Sequence, residues 1–330
     1  MSGARVSAVF AALVCAAVLA FPAAGGGDAP GGKGEVAIFY YPWYSTPPKD
    51  GGWAHWYLGR GDAAVLATTY YPVRGLYSSS NARIVDAHMR EIAAAGVNTV
   101  IVSWWGRTSP EAGRLALVAK TARQHGLAVA IHLEPYVGRT PASAVADIGR
   151  LREAGYSDFY VYDADREPAS GWSEELGRLD PKLRIFGHTT LVGRAKASGF
   201  DGVYTYDVAV WNGSTFRRVC AQAHRVGLVC APSVGPGYDA RLATQHALVR
   251  PRRDGRTYDH MWKRAVAASA DVVTITSYNE WQEGTQIEPA QAQVDRRGYD
   301  GAWGRSGAAA EQAYLEATAR WAARFRALQG

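Results

Sequence analysis

A single (β/α)8 barrel of the α/β class, with long loops at the C-terminal face of its strands, is the fold this sequence predicts. Three observations lead to it. Eight short apolar runs alternate with eight helix-like stretches between about residue 36 and residue 328. The runs are β-branched and aromatic and nearly continuous in hydrophobicity, as strands read when both faces of a parallel sheet are covered. Two long connections, 44–80 and 235–257, leave the ends of the first and seventh runs, where a barrel carries its functional loops. A doubly wound open sheet is the alternative. No G-x-G-x-x-G follows the first run, which argues against a dinucleotide site there.

In chain order the predicted strands are VAIFYYPW (36–43), TVIVSWWG (99–106), LAVAIHLEP (127–135), DFYVYDA (158–164), LRIFGHT (183–189), GVYTYD (202–207), LVCAPSV (228–234) and DVVTITSYNEW (271–281). The first helix is ARIVDAHMREIAAAG. Ser80 or Asn81 caps it, Ile84, His88, Ile92 and Ala95 repeat at helical spacing, and Gly96 ends it. Further helices are expected at 111–126, 141–154, 173–179 (short and weakly marked), 190–198, 214–226, 258–269 and 308–328.

The 330 residues suffice for one barrel-sized domain. Residues 1–24 read as an export signal: Arg5 precedes an apolar run from Val6 to Pro22, with cleavage near Ala23 or Ala24. That places the protein as secreted, in preference to an uncleaved membrane anchor. Residues 25–34 are a glycine-rich flexible linker, and 35–330 form the catalytic domain. Past the signal only Cys220 and Cys230 remain, either as a disulfide or as two buried thiols. The net charge of +6 comes from scattered arginines with no basic stripe of interleaved aromatics, so no nucleic-acid partner is expected. The cluster Arg250, Arg252, Arg253 and Arg256 reads as a solvated loop. With 11 Trp and 18 Tyr, the chain is rich in rings of the kind that pack cores and also line sugar clefts.

Polar and aromatic residues gather at the predicted strand ends. These are Trp43 and Tyr44, Trp104 and Trp105, His132 and Glu134, Tyr162 and Asp163, His188, then Tyr204, Tyr206 and Asp207. The eighth run ends in ITSYNEWQEGTQIEP, with Asn279, Glu280, Trp281 and Glu283. Charge inside a core is costly unless paired, whereas charge at the mouth of a barrel is useful. Two carboxyls converging on an aromatic cleft suggest glycoside cleavage, which needs groups in two different protonation roles. Glu280 and Glu283 are the candidate pair. Glu288, further along the loop, reads as a solvated carboxylate. Trp53, Trp56, Trp104 and Trp105 are expected to be stacking platforms.

The segments FYYPWY, HMREIAAAGVNTVIVSWWG, HLEPY, DGVYTY, PSVGPGY and SYNEWQEGTQIEP, in order along the chain, resemble glycoside hydrolase family 99, the endo-α-1,2-mannosidases and endo-α-1,2-mannanases. The resemblance implies a (β/α)8 barrel, retention of anomeric configuration, no metal and no other cofactor. It implies that Glu280 and Glu283 are catalytic. Glu280 would be base to the substrate 2-hydroxyl, forming a 1,2-anhydro sugar, and Glu283 would be the acid and then the base. The substrate-binding residues expected are Tyr44, Trp53, Trp56, Trp104, Trp105, His132, Glu134, Tyr204, Tyr206, Tyr238, Asn279 and Trp281. The expected partner is an oligosaccharide or polysaccharide of α-mannan or N-glycan type, with membrane contact only if the N-terminal segment stays uncleaved. Departures from the pattern are Gln282 in place of His, Tyr278 in place of Phe, and VAVWNGSTFRRVC after the sixth run. A barrel that binds or assembles glycans without hydrolysing them, or a glycosidase of other specificity, is the alternative. Retention of both glutamates argues against a pure binder.

Overall fold

The computed structural model describes residues 34–59, 64–244 and 247–329. The expected signal peptide and nearly all of the expected linker lie outside them. None of the described helices is long and apolar enough to cross a membrane.

Eight parallel strands form the barrel: β1 (Glu35–Tyr40), β2 (Thr99–Trp104), β3 (Ala128–Leu133), β4 (Asp158–Val161), β5 (Arg184–His188), β6 (Gly202–Tyr204), β7 (Val229–Ala231 continued by Ser233–Val234) and β8 (Val272–Ile275). Each pairs with the next, and β1 pairs with β8 at Glu35↔Val272. Pro232 splits β7, because it has no N–H to give the ladder. The first piece pairs with β6 and the second with β8, which closes the ring.

The helices sit outside, as expected for this alternation: α1 (Ala82–Ala94), α2 (Pro110–Gln124), α3 (Pro141–Glu153), α4 (Ala169–Leu176), α5 (Val192–Ser198), α6 (Phe216–Arg225), α7 (Arg256–Ala267) and α8 (Ala313–Ala327). Of the two candidate caps for α1, Asn81 serves, its side chain accepting from the Arg83 amide at 3.0 Å. Ser109 caps α2, and Thr140 with Ser143 forms a reciprocal box on α3. The weakly marked fourth helix begins earlier than predicted, at Ala169. Cys220 on α6 and Cys230 on β7 are disulfide-bonded, with Cα atoms 5.1 Å apart.

The barrel interior is layered. At its N-terminal end Arg184 pairs with Glu35 at 3.2 Å and with Asp158, and Thr99 donates to Glu35 at 2.6 Å. Above them Phe39 packs on Tyr160, Tyr204 and Tyr206 with centroids 4.9–5.9 Å apart, a buried aromatic layer. That layer is the floor of the C-terminal mouth. The long connections frame the mouth with two-stranded ribbons: Tyr57–Leu58 with Val65–Leu66, Tyr71–Pro72 with Ala290–Gln291, and Tyr238–Asp239 with Val249–Arg250.

Candidate active site

The chain after β8 does not leave the barrel at once. Ser277 donates its amide to the Thr285 carbonyl, and Glu288 donates its own to Tyr278, so 276–289 folds back on itself. Asn279 pins this loop to the end of β1, accepting from the Tyr41 amide at 2.7 Å and donating to its carbonyl at 3.0 Å. Tyr44 donates to the Asn279 carbonyl at 2.9 Å and accepts from the Trp281 amide at 3.0 Å. Gly284, at φ 64°, lies against Asp239, whose amide donates to the Glu283 carbonyl at 2.8 Å. Gly235 permits a close approach on the same side: a Cβ there would sit 2.7 Å from the Thr276 carbonyl oxygen.

Glu280 and Glu283 share the cleft. Tyr206 donates to Glu280 Oε2 at 2.6 Å, which leaves Tyr41 as the donor to the Tyr206 oxygen. Tyr206 holds this position at φ 31°, a left-handed backbone that costs a bulky residue about 1–3 kcal/mol. The carboxyl of Glu283 comes within hydrogen-bonding reach of Glu280 while keeping part of its surface open to the mouth. Burial first, then the neighbouring Glu283 charge, raises the Glu280 carboxyl well above the ordinary range. Burial, then Asp207, pushes Glu283 up to about 8. Such a pair retains a proton near neutrality. The two settings differ: Glu280 accepts a tyrosine hydroxyl, whereas the Asp207 charge adds to burial at Glu283.

Glu134 belongs to the same cleft and raises both carboxyls. It accepts from Ser103 at 2.8 Å, and His132 Nδ1 lies 2.9 Å from it. His132 stacks on Tyr206, with its Nε2 3.0 Å from the Tyr204 hydroxyl. Asp207 accepts from Tyr162 at 3.0 Å and pairs with His188 at 3.2 Å, whose ring stacks on Tyr162. Tyr238 faces Glu283 and Glu280, which help burial to raise its hydroxyl. His55 stacks on Trp43 at 4.4 Å, and its interaction with Gln282 brings the first long loop to the residue between the two glutamates. Burial pushes His55 down to about 4.

Several expectations are corrected. Glu288 is not solvated. It is fully buried, accepting from Tyr77 at 2.7 Å and from Trp281 Nε1 at 2.9 Å, with His88 Nε2 at 3.0 Å. Burial alone would raise its carboxyl, but His88, Tyr77 and Arg74 outweigh burial and hold it below the usual range. Trp56 is no platform: it has no exposed surface, stacks under Tyr44 at 4.1 Å, and donates to the Tyr77 carbonyl. Tyr44, Asn279, Trp281 and Tyr204 are likewise enclosed, so they hold the loop or floor rather than offer a sugar-facing surface. Trp104 is nearly enclosed, edge-on to Tyr136. Trp53 and Trp105 are the exposed tryptophans of the four, at 48% and 36%. The arginine cluster is not simply solvated either. Arg252 is buried among Tyr70, Tyr299 and Tyr314, 4.6–4.8 Å from each ring, and donates to the carbonyls of Gly284 and Gln286. Arg250 donates to the carbonyls of Val208 and Ala209.

Two measurements follow from these buried carboxyls. Glu288→Leu would leave His88, Tyr77 and the Trp281 indole without their acceptor, and is expected to cost about 3–5 kcal/mol at pH 7 in chemical denaturation. The folded carboxyl is depressed, so its contribution is present above the unfolded value of about 4.3 and is lost as acid takes the pH down through the folded value. A loss below about 1 kcal/mol would contradict an anchoring role. Glu283 has the opposite sign. Between about pH 4.3 and 8 the folded protein keeps a proton that the unfolded chain has released, so stability falls over that window. Glu283→Gln should therefore match the parent's melting temperature near pH 4 and exceed it increasingly toward pH 8. A constant difference across that range would show that Glu283 titrates normally.

A barrel whose mouth holds two neighbouring carboxyls that retain a proton, among tyrosines, histidines and accessible tryptophans, has the make-up of a glycoside hydrolase. The chain belongs to glycosyl hydrolase family 99, whose family model matches residues 33–177 and 189–327. It is 32% identical over 315 residues to a glycoprotein endo-alpha-1,2-mannosidase-like protein of Danio rerio, a match covering 78% of this chain and 71% of the relative. To the protein of the same description in Homo sapiens it is 27% identical over 361 residues, covering 88% of this chain and 76% of that one. The structure of the family 99 endo-alpha-mannosidase from Bacteroides thetaiotaomicron superposes with a TM-score of 0.81 at 28% identity, covering 90% of this chain and 99% of that one. The eight-stranded barrel expected from the sequence is therefore found.

Proposed function

We propose that this protein is an endo-acting hydrolase of α-1,2-mannosidic linkages, within α-mannan or glucosylated high-mannose glycans, working with retention through a 1,2-anhydro sugar. The relatives' descriptions support the linkage. The observation that carries the mechanism is the unequal setting of the two glutamates: Glu280 under a tyrosine hydroxyl, Glu283 opposite Asp207.

In the first step Glu280 takes the proton of the 2-hydroxyl of the sugar on the non-reducing side of the cut. O2 attacks C1, the bond from C1 to the leaving oxygen breaks, and Glu283 gives that oxygen its proton. In the second step water attacks C1, Glu283 accepts the water proton, the C1–O2 bond breaks and Glu280 returns its proton to O2. Two displacements at C1 give net retention, and both carboxyls end as they began. The Cys220–Cys230 bridge fits an exported enzyme, since such bonds persist in oxidising compartments; export is part of this proposal.

A product profile tests the reading. Man-α-1,2-Man oligosaccharides and Glc-α-1,3-Man-α-1,2-Man substrates are incubated with the enzyme and the products sized. Release of saccharides of two or more units is expected. Stepwise release of single units from the non-reducing end, or no product from any substrate, would contradict endo-mannosidase action.

A further inference from the structure

Beside the catalytic loop, at Gly284, lies a cavity of about 240 Å³ walled by parts of 238–254 and 297–302. Five of its lining residues are arginines and three are aspartates, which leaves two positive charges in excess. Partners account for some of these groups. Arg241 grips Asp239 through Nε and Nη2, both at 2.8 Å. Asp254 pairs with Arg256 at 3.3 Å, and Asp300 accepts from the Gly307 amide at 2.8 Å. Arg250 is turned to the carbonyls of Val208 and Ala209. Arg252, Arg253 and Arg297 form no ion pair among the described residues. Arg253 and Arg297 stand at the surface, whereas Arg252 is 8% exposed. Its Nη2 donates to the Gly284 and Gln286 carbonyls, while its buried Nε and Nη1 meet no hydrogen-bond acceptor among the described residues. The three tyrosine rings around it stabilise the cation through their faces. The arginines also crowd one another: burial and then the Arg253 charge lower the Arg250 guanidinium.

We infer that this cavity binds a phosphate group, either free inorganic phosphate or a monoester carried by a sugar. Its volume is below the roughly 300 Å³ at which pockets for whole small molecules begin, so it suits one compact group. The two-charge excess matches a phosphate monoester, which carries about −1.5 to −2 near neutrality, better than a carboxylate. Guanidinium N–H groups match phosphate oxygens, and a buried donor gains most from such a partner because water does not compete for it. A plain structural reading has Arg252 clamp the catalytic loop and nothing more. Its Nη2 suffices for that clamp, and Arg253 and Arg297 take no part in it. The site goes beyond the hydrolase reading and does not depend on it.

Titration calorimetry on the whole protein tests this, with inorganic phosphate and mannose 6-phosphate as probes in chloride buffer of constant ionic strength. Saturable binding of at least one probe is expected. Arg253→Ala and Arg297→Ala, both at exposed positions, should each weaken it about tenfold, the worth of one charge-assisted hydrogen bond. Arg225→Ala, an exposed arginine outside the cavity, removes the same net charge and should leave the affinity unchanged. Tighter binding of mannose 6-phosphate than of inorganic phosphate would support the site and assign the group to a sugar ester; the reverse order would support it as a site for the free ion. No saturable binding of either probe, or equal weakening by Arg225→Ala and the two cavity variants, would overturn the assignment. Neither result would bear on mannoside hydrolysis, which is measured separately.

Discussion

Glu283→Gln is expected to slow hydrolysis of natural mannosides by roughly 10²–10⁴-fold or more, the usual worth of a general acid. The cause is protonation. Burial and then the Asp207 charge push the Glu283 carboxyl up to about 8, which suits the proposed acid, and a sugar oxygen leaves poorly without a proton. An aryl oxygen of low basicity needs little help, so the bond-breaking step on an activated aryl substrate should be much less affected. Single-turnover rates on both substrates check this. Equal losses on both would mean that Glu283 does not protonate the leaving oxygen.

Glu280→Gln is expected to impair activated and natural substrates together, each by a factor at least as large. In the proposed mechanism its carboxylate acts in the same bond-breaking step, on the nucleophilic 2-hydroxyl, and a better leaving group does not replace a missing base. The substitution would also present an amide to Tyr206, whose hydroxyl is placed to donate to a carboxylate at 2.6 Å. Rescue of Glu280→Gln, but not of Glu283→Gln, by a good leaving group would reverse the two roles. Full activity in both variants would remove the pair from catalysis.

The barrel was legible in the sequence because its signals are local. Continuous apolar runs, a capping Asn81 and helix-ending glycines each act within a few residues, and they agree with one another. The mouth was legible because strand ends must carry its polar groups, which brought Glu134, Tyr206, Glu280 and Glu283 into one cleft as expected. What failed was burial. Trp56 and Trp53 lie three residues apart in one loop, yet one is enclosed under Tyr44 and the other stands in solvent. Spacing in an irregular loop has no period from which to read a face. Glu288 was misjudged because its partners, His88, Tyr77 and Arg74, lie about 200 residues away along the chain. The one clue was His88 on the apolar face of α1, a buried imidazole in need of a partner. Arg252 was missed for the same reason, since the tyrosine cage around it draws on three separate segments. Tyr41 and His55 also went unmarked. Tyr41 sits behind Tyr206 and beside Glu280, and His55 reaches the site from an irregular loop, through Trp43 and Gln282.

The central claim is that the substrate's own 2-hydroxyl, activated by Glu280, displaces the leaving group. The most direct test compares the turnover of an activated aryl α-mannoside substrate with that of its analogue lacking the 2-hydroxyl on the sugar to be cleaved. Removing that electron-withdrawing oxygen makes the glycosidic bond intrinsically easier to ionise, so an enzyme using a carboxylate nucleophile would still cleave the analogue. The account predicts that the unaltered enzyme turns over the parent substrate and leaves the 2-deoxy analogue intact. Turnover of the analogue at a rate near the parent's would contradict it and make one of the two glutamates the nucleophile.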